Sequence, residues 1–442
     1  MLNETASSNE KIYSQNQILI QEYSSNMSKF QFDKAKTIIE KSKENSKIFS
    51  LFHQALINFS NGEKNYNNLV LISQRYGSRI GDRHYESAFL AFEQVSKETS
   101  SNQRVQSQEN LQDLSCLIEI SSQLNQLIEF RYQMIMLYSE LKDKELRHEK
   151  GSVELALKNL QDLREKYFKK EFNFLIENLI SSFNLEINIL VNLLNCHIAL
   201  DYKLDCIKSI VAIKKINDIF NNQPVFQASK TLKENKSFIP FSKPVHRQQP
   251  QLYQWFKIYY KALLNKFSIL MNDSFMKFKD INNDMKEQIS LYSKLMNFTN
   301  KFLPNFTAIL FDSTLIDGNN FRGNGYEVLR PHVKSDEELK CDSDLYSFVF
   351  SQPKLIKDSY EKHIKNVVAL VKSDFDSKVK YHFDSGNRTS YYLCKISDYY
   401  TFIVIFEMSK QEPKTKVASM VQEIGTELNL SSVFCSFNQN LK

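Results

Sequence analysis

Glycine and proline are scarce, nine and eight among 442 residues. Proline interrupts helices, so a chain this poor in breakers suits long ones. No run of about 18 apolar residues is present, and no membrane span is expected. Even Phe402–Phe406, among the longest apolar blocks, is only strand-sized. The six cysteines, Cys116, Cys196, Cys206, Cys341, Cys394 and Cys435, form no CxxC pair. Their scatter fits reduced, partly buried thiols of the cytosol. Met1-Leu-Asn-Glu-Thr-Ala has neither a basic start nor an apolar core, so no signal peptide is expected. HExxH and GxSxG are missing, and the eight histidines are dispersed.

Charge is equally unconcentrated. The net charge is +6 and the pI near 8.7. Basic stretches such as Lys41-Ser-Lys-Glu-Asn-Ser-Lys47 and Arg164-Glu-Lys-Tyr-Phe-Lys-Lys170 have acids or aromatics interleaved. That reads as solvated helix face rather than a nucleic-acid stripe. The chain has ample apolar content, 42% hydrophobic and 24% charged, enough to bury a sizeable core and too apolar for disorder. The length makes two domains the natural expectation.

The informative presence is a change of hydrophobic period near Pro304. Before it, apolar residues recur at three and four, the spacing that puts them on one helix face. Leu117, Ile120, Leu124, Leu127, Arg131, Met134 and Tyr138 form one such row. Phe172, Leu175, Leu179, Phe183, Ile187, Leu190 and Leu194 form a second. Each predicts a helix on the order of 40 Å long at about 1.5 Å per residue, and two such helices favour an antiparallel bundle. Shorter helices are expected over residues 11–25, from Asp33, over Ser50–Phe59 and over Tyr85–Val95, with Glu98–Glu109 a polar loop. Residues 221–250 hold Pro224, Pro240, Pro244 and Pro250, half of all the prolines, and read as a long loop. Tyr253 to Leu270 resumes the helical stripe, and a last helix spans 284–302.

After Pro304 the apolar residues come in short blocks. Strands are expected over 306–312, 378–384, 390–396 and 400–408, with strand or helix through 346–371 and a closing helix over 415–428. Ser385-Gly-Asn387 and Ser397-Asp398 supply turns between antiparallel neighbours. Ile403, Ile405 and Phe406 are expected in the core of a strand covered on both faces. The fold class is α+β: a helical bundle domain over 10–280 and an α/β domain over 281–440.

Candidate chemistry is thin. Gly318-Asn-Asn-Phe-Arg-Gly323-Asn-Gly325 is locally glycine-rich, but Tyr326-Glu327 stands where a phosphate loop needs Lys then Ser or Thr. A nucleotide-binding module or enzyme using Gly318–Gly325 is the alternative reading, and a turn-rich insertion the plain one. Cys196, His197 and Cys206 lie close in sequence, yet zinc needs four ligands and no others can be nominated. His382, in a predicted strand, is read as structural. No catalytic, metal or cofactor residue is assigned, and no cofactor is expected. The aromatic cluster Tyr253, Trp255, Phe256, Tyr259 and Tyr260 is the candidate partner-binding patch, since exposed aromatics anchor interfaces. Its plainer reading is inter-helix core, with the patch as the alternative.

A set of collinear segments resembles the KICSTOR subunit 2 family. They are Phe30-Gln-Phe-Asp-Lys-Ala-Lys36, Ser182-Phe-Asn-Leu-Glu186, Trp255 with Leu263-Leu-Asn-Lys-Phe-Ser268, Leu310-Phe-Asp312, Gly323-Asn-Gly-Tyr326, Tyr391-Tyr-Leu393 and Phe402-Ile-Val-Ile-Phe-Glu407. The resemblance implies a helical bundle joined to a roadblock- or profilin-like antiparallel sheet with flanking helices. It implies a non-catalytic scaffold or adaptor subunit at the cytosolic face of the lysosomal membrane. Its implied partners are the other KICSTOR-like subunits and, through them, the GATOR complex and Rag GTPases, with no nucleic acid. The implied outcome is restraint of TOR signalling under amino-acid or glucose starvation.

Overall fold

The computed structural model describes residues 15–42, 46–73, 83–102, 108–223, 249–271, 289–312, 314, 346–353, 357–373, 379–407 and 414–438. The Gly318–Gly325 loop and residues 224–248 of the proline-rich segment lie outside the described residues. Among the described residues up to 302 the regular elements are helices: α1 (Gln15–Ser28), α2 (Phe32–Lys41), α3 (Lys47–Asn67), α4 (Val70–Ser73), α5 (Arg83–Asn102), α6 (Gln108–Leu146), α7 (Ser152–Phe168), α8 (Glu177–Asp201), α9 (Cys206–Asn222), α10 (Gln251–Leu270) and α11 (Leu291–Phe302). The expected polar loop over Glu98–Glu109 is corrected: α5 runs to Asn102 and α6 begins at Gln108. Residues 103–107 lie outside the described residues. The second long row starts later than its spacing implies. A 3-10 turn at Phe174–Ile176, capped by the Asn173 side chain accepting from Leu175 N at 3.1 Å, precedes α8.

Asp33 in the first turn of α2 and Lys41 in its last match the helix dipole. The Asp205 carboxylate accepts from Lys208 N at 2.9 Å and so starts α9. Leu303, left-handed at φ 49°, ends α11 just before Pro304. The 3-10 turn and α8 together, Phe174–Asp201, form a helix long and apolar enough to cross a membrane by length and composition. Glu186 and Asp201 are buried on this helix within ion pairs, as on the core helix of a folded protein.

The chain divides into two compact units. The first comprises residues 1–141, 158–189 and 228–253, and the second 142–157, 190–227 and 254–442. In the first, α3 and α5 approach closely at Gly62, where an added Cβ would lie 2.6 Å from the Tyr85 ring. Phe52 and Phe92 meet edge to face at 5.8 Å on the same pair of helices.

The second unit holds the sheet: β1 (Phe306–Asp312), β2 (Tyr346–Gln352), β3 (Lys380–Asp384), β4 (Thr389–Lys395) and β5 (Tyr400–Glu407). The order is β2-β1-β5-β4-β3, with antiparallel pairing throughout. Residues 346–371 thus divide into strand β2 and helix α12 (Lys357–Lys372). Successive strand residues point to opposite faces. One face, with Tyr391, Leu393, Ile403 and Ile405, packs on Ile364, Val367 and Val368 of α12. The other meets α13 (Lys414–Leu428), where Gly425 sits against Cys394; a Cβ there would fall 2.2 Å from Sγ. Central β5 is buried along all but its last residue, Ile403, Ile405 and Phe406 included. A short helix α14 (Ser431–Cys435) and a 3-10 turn follow.

Candidate functional site

The five aromatics singled out in the sequence all lie on α10, and all are buried, with at most 1% of any exposed. Trp255 donates its Nε1–H to the Val433 carbonyl at 3.0 Å and stacks on Phe437 at 4.2 Å. Phe256 lies 5.5 Å from Trp255. Tyr259 meets Phe434 edge to face at 5.5 Å, and Tyr260 meets Phe220 at 5.5 Å. In the first unit, Tyr253 packs edge to face on Phe30 at 4.7 Å. The cluster is inter-element core, the plainer of its two sequence readings. Composition could not separate the readings, because covered and exposed aromatics have the same letters.

The first unit contains a charged cluster. Arg131 of α6 is buried and faces two buried carboxylates. Its Nε donates to Glu63 Oε1 at 2.7 Å and its Nη2 to Glu63 Oε2 at 2.9 Å, a bidentate fork. Its Nη1 donates to Glu186 Oε2 at 2.6 Å. One cation against two carboxylates leaves a formal excess of one negative charge. Three phenols meet it: Tyr85 O–H donates to Glu63 at 2.8 Å, Tyr138 O–H to Glu186 at 3.1 Å, and Tyr66 O–H also to Glu186. The guanidinium carbon lies 4.1 Å over the Tyr66 ring and 3.7 Å over Phe183. Burial first, and the carboxylates second, push all three phenols well above the ordinary tyrosine pKa, so they stay neutral donors. Burial opposes the charge on Arg131, but Glu186 and Glu63 outweigh it and raise its pKa.

The second unit carries two smaller clusters. Lys266, fully buried, donates to Asp201 Oδ2 at 2.7 Å. His197 Nε2 lies 2.9 Å from the same oxygen and its Nδ1 lies 2.6 Å from Tyr259 Oη. Burial raises the pKa of Asp201, yet Lys266 and then His197 more than reverse this and hold it below the usual carboxylate value. Cys196 is adjacent, but burial pushes its thiol pKa up, the reverse of an activated nucleophile. On α12, His363 sits 3.0 Å from Tyr391 Oη and 2.6 Å from Glu407 Oε1. Asn366 donates to Asp384 at 3.0 Å, and Asp384 also accepts from Gly386 N at 2.9 Å and the Asn387 side chain at 2.8 Å, which pins the β3–β4 turn.

In the Arg131 and Lys266 clusters the charged atoms are turned on one another inside the core. Among the described residues, no group of three or more His, Cys, Asp or Glu could hold a metal. The Cys196, His197 and Cys206 run is therefore no ligand set there. Sequence reading placed Arg131 on the α6 stripe but not its partners. A lone arginine among Leu, Ile and Met on a core stripe was the available signal, since a buried charge needs a counter-charge.

Fold and clusters together define an α+β protein of helices and one antiparallel sheet, with no catalytic constellation among its described residues. Over residues 9–442 the chain matches the family described as KICSTOR complex C12orf66 like, and it belongs to that family. It is 24% identical to KICSTOR subunit 2 of Xenopus laevis over 444 residues, covering 96% of this chain and 97% of that protein. It is 23% identical to KICSTOR subunit 2 of Danio rerio over 446 residues, covering 96% of each.

Proposed function

We propose that this protein is a non-catalytic scaffold subunit of a KICSTOR-like complex. It holds the other subunits and, through them, positions the GATOR complex towards Rag GTPases at the cytosolic face of the lysosome. Loss of that positioning leaves TOR signalling high when amino acids or glucose are scarce. The observation that carries this reading is the family match, which runs through both units rather than through one borrowed segment. The inward-turned charged clusters support it, since their groups are spent on one another within the core.

The test is co-purification of the tagged full chain from its own cells, with subunits quantified by mass spectrometry. KICSTOR-type subunits should be the dominant stoichiometric partners. Cells lacking the protein should keep phosphorylating TOR substrates during amino-acid starvation. Normal shut-off of TOR signalling in those cells would overturn the reading.

A further inference from the structure

His363 of α12 is buried inside a hydrogen-bond chain that crosses the sheet. Its Nδ1 lies 3.0 Å from Tyr391 Oη and its Nε2 2.6 Å from Glu407 Oε1. Tyr391 Oη also receives a hydrogen from Asn366 Nδ2 at 3.3 Å, and the same Nδ2 donates to Asp384 Oδ2 at 3.0 Å. Asp384 accepts in turn from Gly386 N at 2.9 Å and from Asn387 Nδ2 at 2.8 Å. The chain thus runs from the end of β5, under α12, to the β3–β4 turn.

Donor and acceptor chemistry fixes the direction of each bond. Hydrogen bonds, those from Asn387 foremost, hold the Asp384 carboxyl below the usual carboxylate range, so it is ionised and only accepts. The Asn366 amide must therefore turn its NH2 to Asp384, and its second N–H reaches Tyr391. Tyr391 gives its own hydrogen to His363 Nδ1. The proton of the neutral imidazole is then on Nε2 and is donated to Glu407. A second proton would fall on Nδ1, against the Tyr391 hydrogen. The conflict is relieved when Tyr391 accepts from Nδ1 and donates to Asn366, which requires the amide to turn over. Its oxygen then faces the Asp384 carboxylate, two acceptors with no hydrogen between them. The Glu407 contact meanwhile becomes charge-assisted and strengthens. We propose that this chain is a proton-operated latch. With His363 neutral it holds the β3–β4 turn through Asp384; with His363 protonated it releases that turn and grips the end of β5 through Glu407. Histidine is the side chain that changes charge between about pH 5 and 8. Of the other strands, β1 brings the Phe306 ring to 5.8 Å from His363, and β2 brings Tyr346 into the shared apolar cluster. From β3, His382 lies 6.2 Å from the Tyr391 ring, and Lys380 is held on the Leu370 carbonyl at 3.3 Å. The latch goes beyond the scaffold reading and does not depend on it.

Magnetic resonance of the full chain tests this. With isotope-labelled histidine, His363, identified by the signal that His363→Gln removes, should be the Nε2–H tautomer at about pH 8. Glycine labelling gives nine amide signals. That of Gly386, identified by Gly386→Ala, should move between about pH 8 and pH 5 with the same midpoint as the His363 ring. Asn366→Ala, at a half-buried position, cuts the chain: His363 still titrates and the Gly386 movement is lost. His382→Gln, at the exposed neighbour, leaves the movement in place. An Nδ1–H tautomer at the upper pH would overturn the proposal. So would a Gly386 signal that stays still in the parent chain, that moves as far in Asn366→Ala, or that stops moving in His382→Gln.

Discussion

Around Arg131 the first unit places a cation, two carboxylates and three phenols where hydrocarbon would ordinarily pack. Around Ile403 the sheet places Leu310, Leu393 and Ile405 against Val367 of α12, with Tyr391 the polar-tipped neighbour. The two cores fail differently. Hydrocarbon packing loses stability in proportion to what is removed, and it loses everything when a charge is inserted. A buried ion cluster tolerates little subtraction, because each removal strands the partners in a low-dielectric interior. Such a cluster also has only one arrangement that pairs every group, which ties α3, α6 and α8 to a single register. The contrast assigns specificity to the helical unit and bulk burial to the sheet.

The largest expected effect strikes the apolar side of that contrast. Ile403→Asp, at a fully buried position of the central strand, should leave no soluble folded protein. A soluble variant with cooperative unfolding would remove β5 from the core. Next, Arg131→Met should lower stability by about 3–5 kcal/mol, the usual loss when a buried pair is broken from one side. Adding Glu63→Gln and Glu186→Gln to it should recover much of that loss in urea unfolding. If the single variant costs no more than the triple, the cluster is not a charged unit. Gly62→Ala drives a methyl into the Tyr85 ring and should cost about 1–3 kcal/mol, as overpacking does. A neutral result would mean that Tyr85 can leave Glu63 freely.

Acid sharpens the comparison from another side. The Asp201 carboxyl is held below its ordinary value in the folded chain. The unfolded chain therefore takes up that proton at higher pH than the folded one. The stabilisation is complete above about pH 4 and is lost as pH falls through the lower folded value. Asp201→Asn should flatten this acid limb in a melting-temperature series, and parallel slopes in both proteins would contradict it. The smallest effect belongs to Lys294, which pairs with Glu423 at 2.5 Å and with Glu427 from a partly exposed side chain. Lys294→Ala should cost under about 1 kcal/mol, and less still in salt.

Much of the sheet was legible because strands announce themselves locally. Ser385-Gly-Asn387 and Ser397-Asp398 marked the two hairpin turns, and the β5 run Tyr400–Phe406 marked burial on both faces. The helices were legible where one stripe was wide, as on α6. They were missed on α7, where the buried apolar residues are Val153, Ala156, Leu160 and Tyr167, set between charged turns. The Arg131 cluster was half legible. Its partners lie 68 and 55 residues away, and a one-dimensional pattern holds no information on which distant glutamate turns inward. The α10 aromatics show the same limit, since helical spacing fixes a face and not what covers it.

The division of the chain carries a consequence for its synthesis. Neither unit is a contiguous stretch: residues 190–227 belong to the second unit, yet they leave the ribosome before residues 228–253 of the first. The first unit cannot close until residue 253 has emerged. Trp255 and Tyr259 then wait for Val433, Phe434 and Phe437 at the far end of the chain. During that interval an emerging α10 exposes rings that are later covered, the kind of transient apolar surface that invites aggregation. Emergence of residues 433–437, rather than completion of the first half, is the event that closes the second core. A chain stopped at residue 280 should accordingly require chaperones and be degraded, even though every helix before that point has been made.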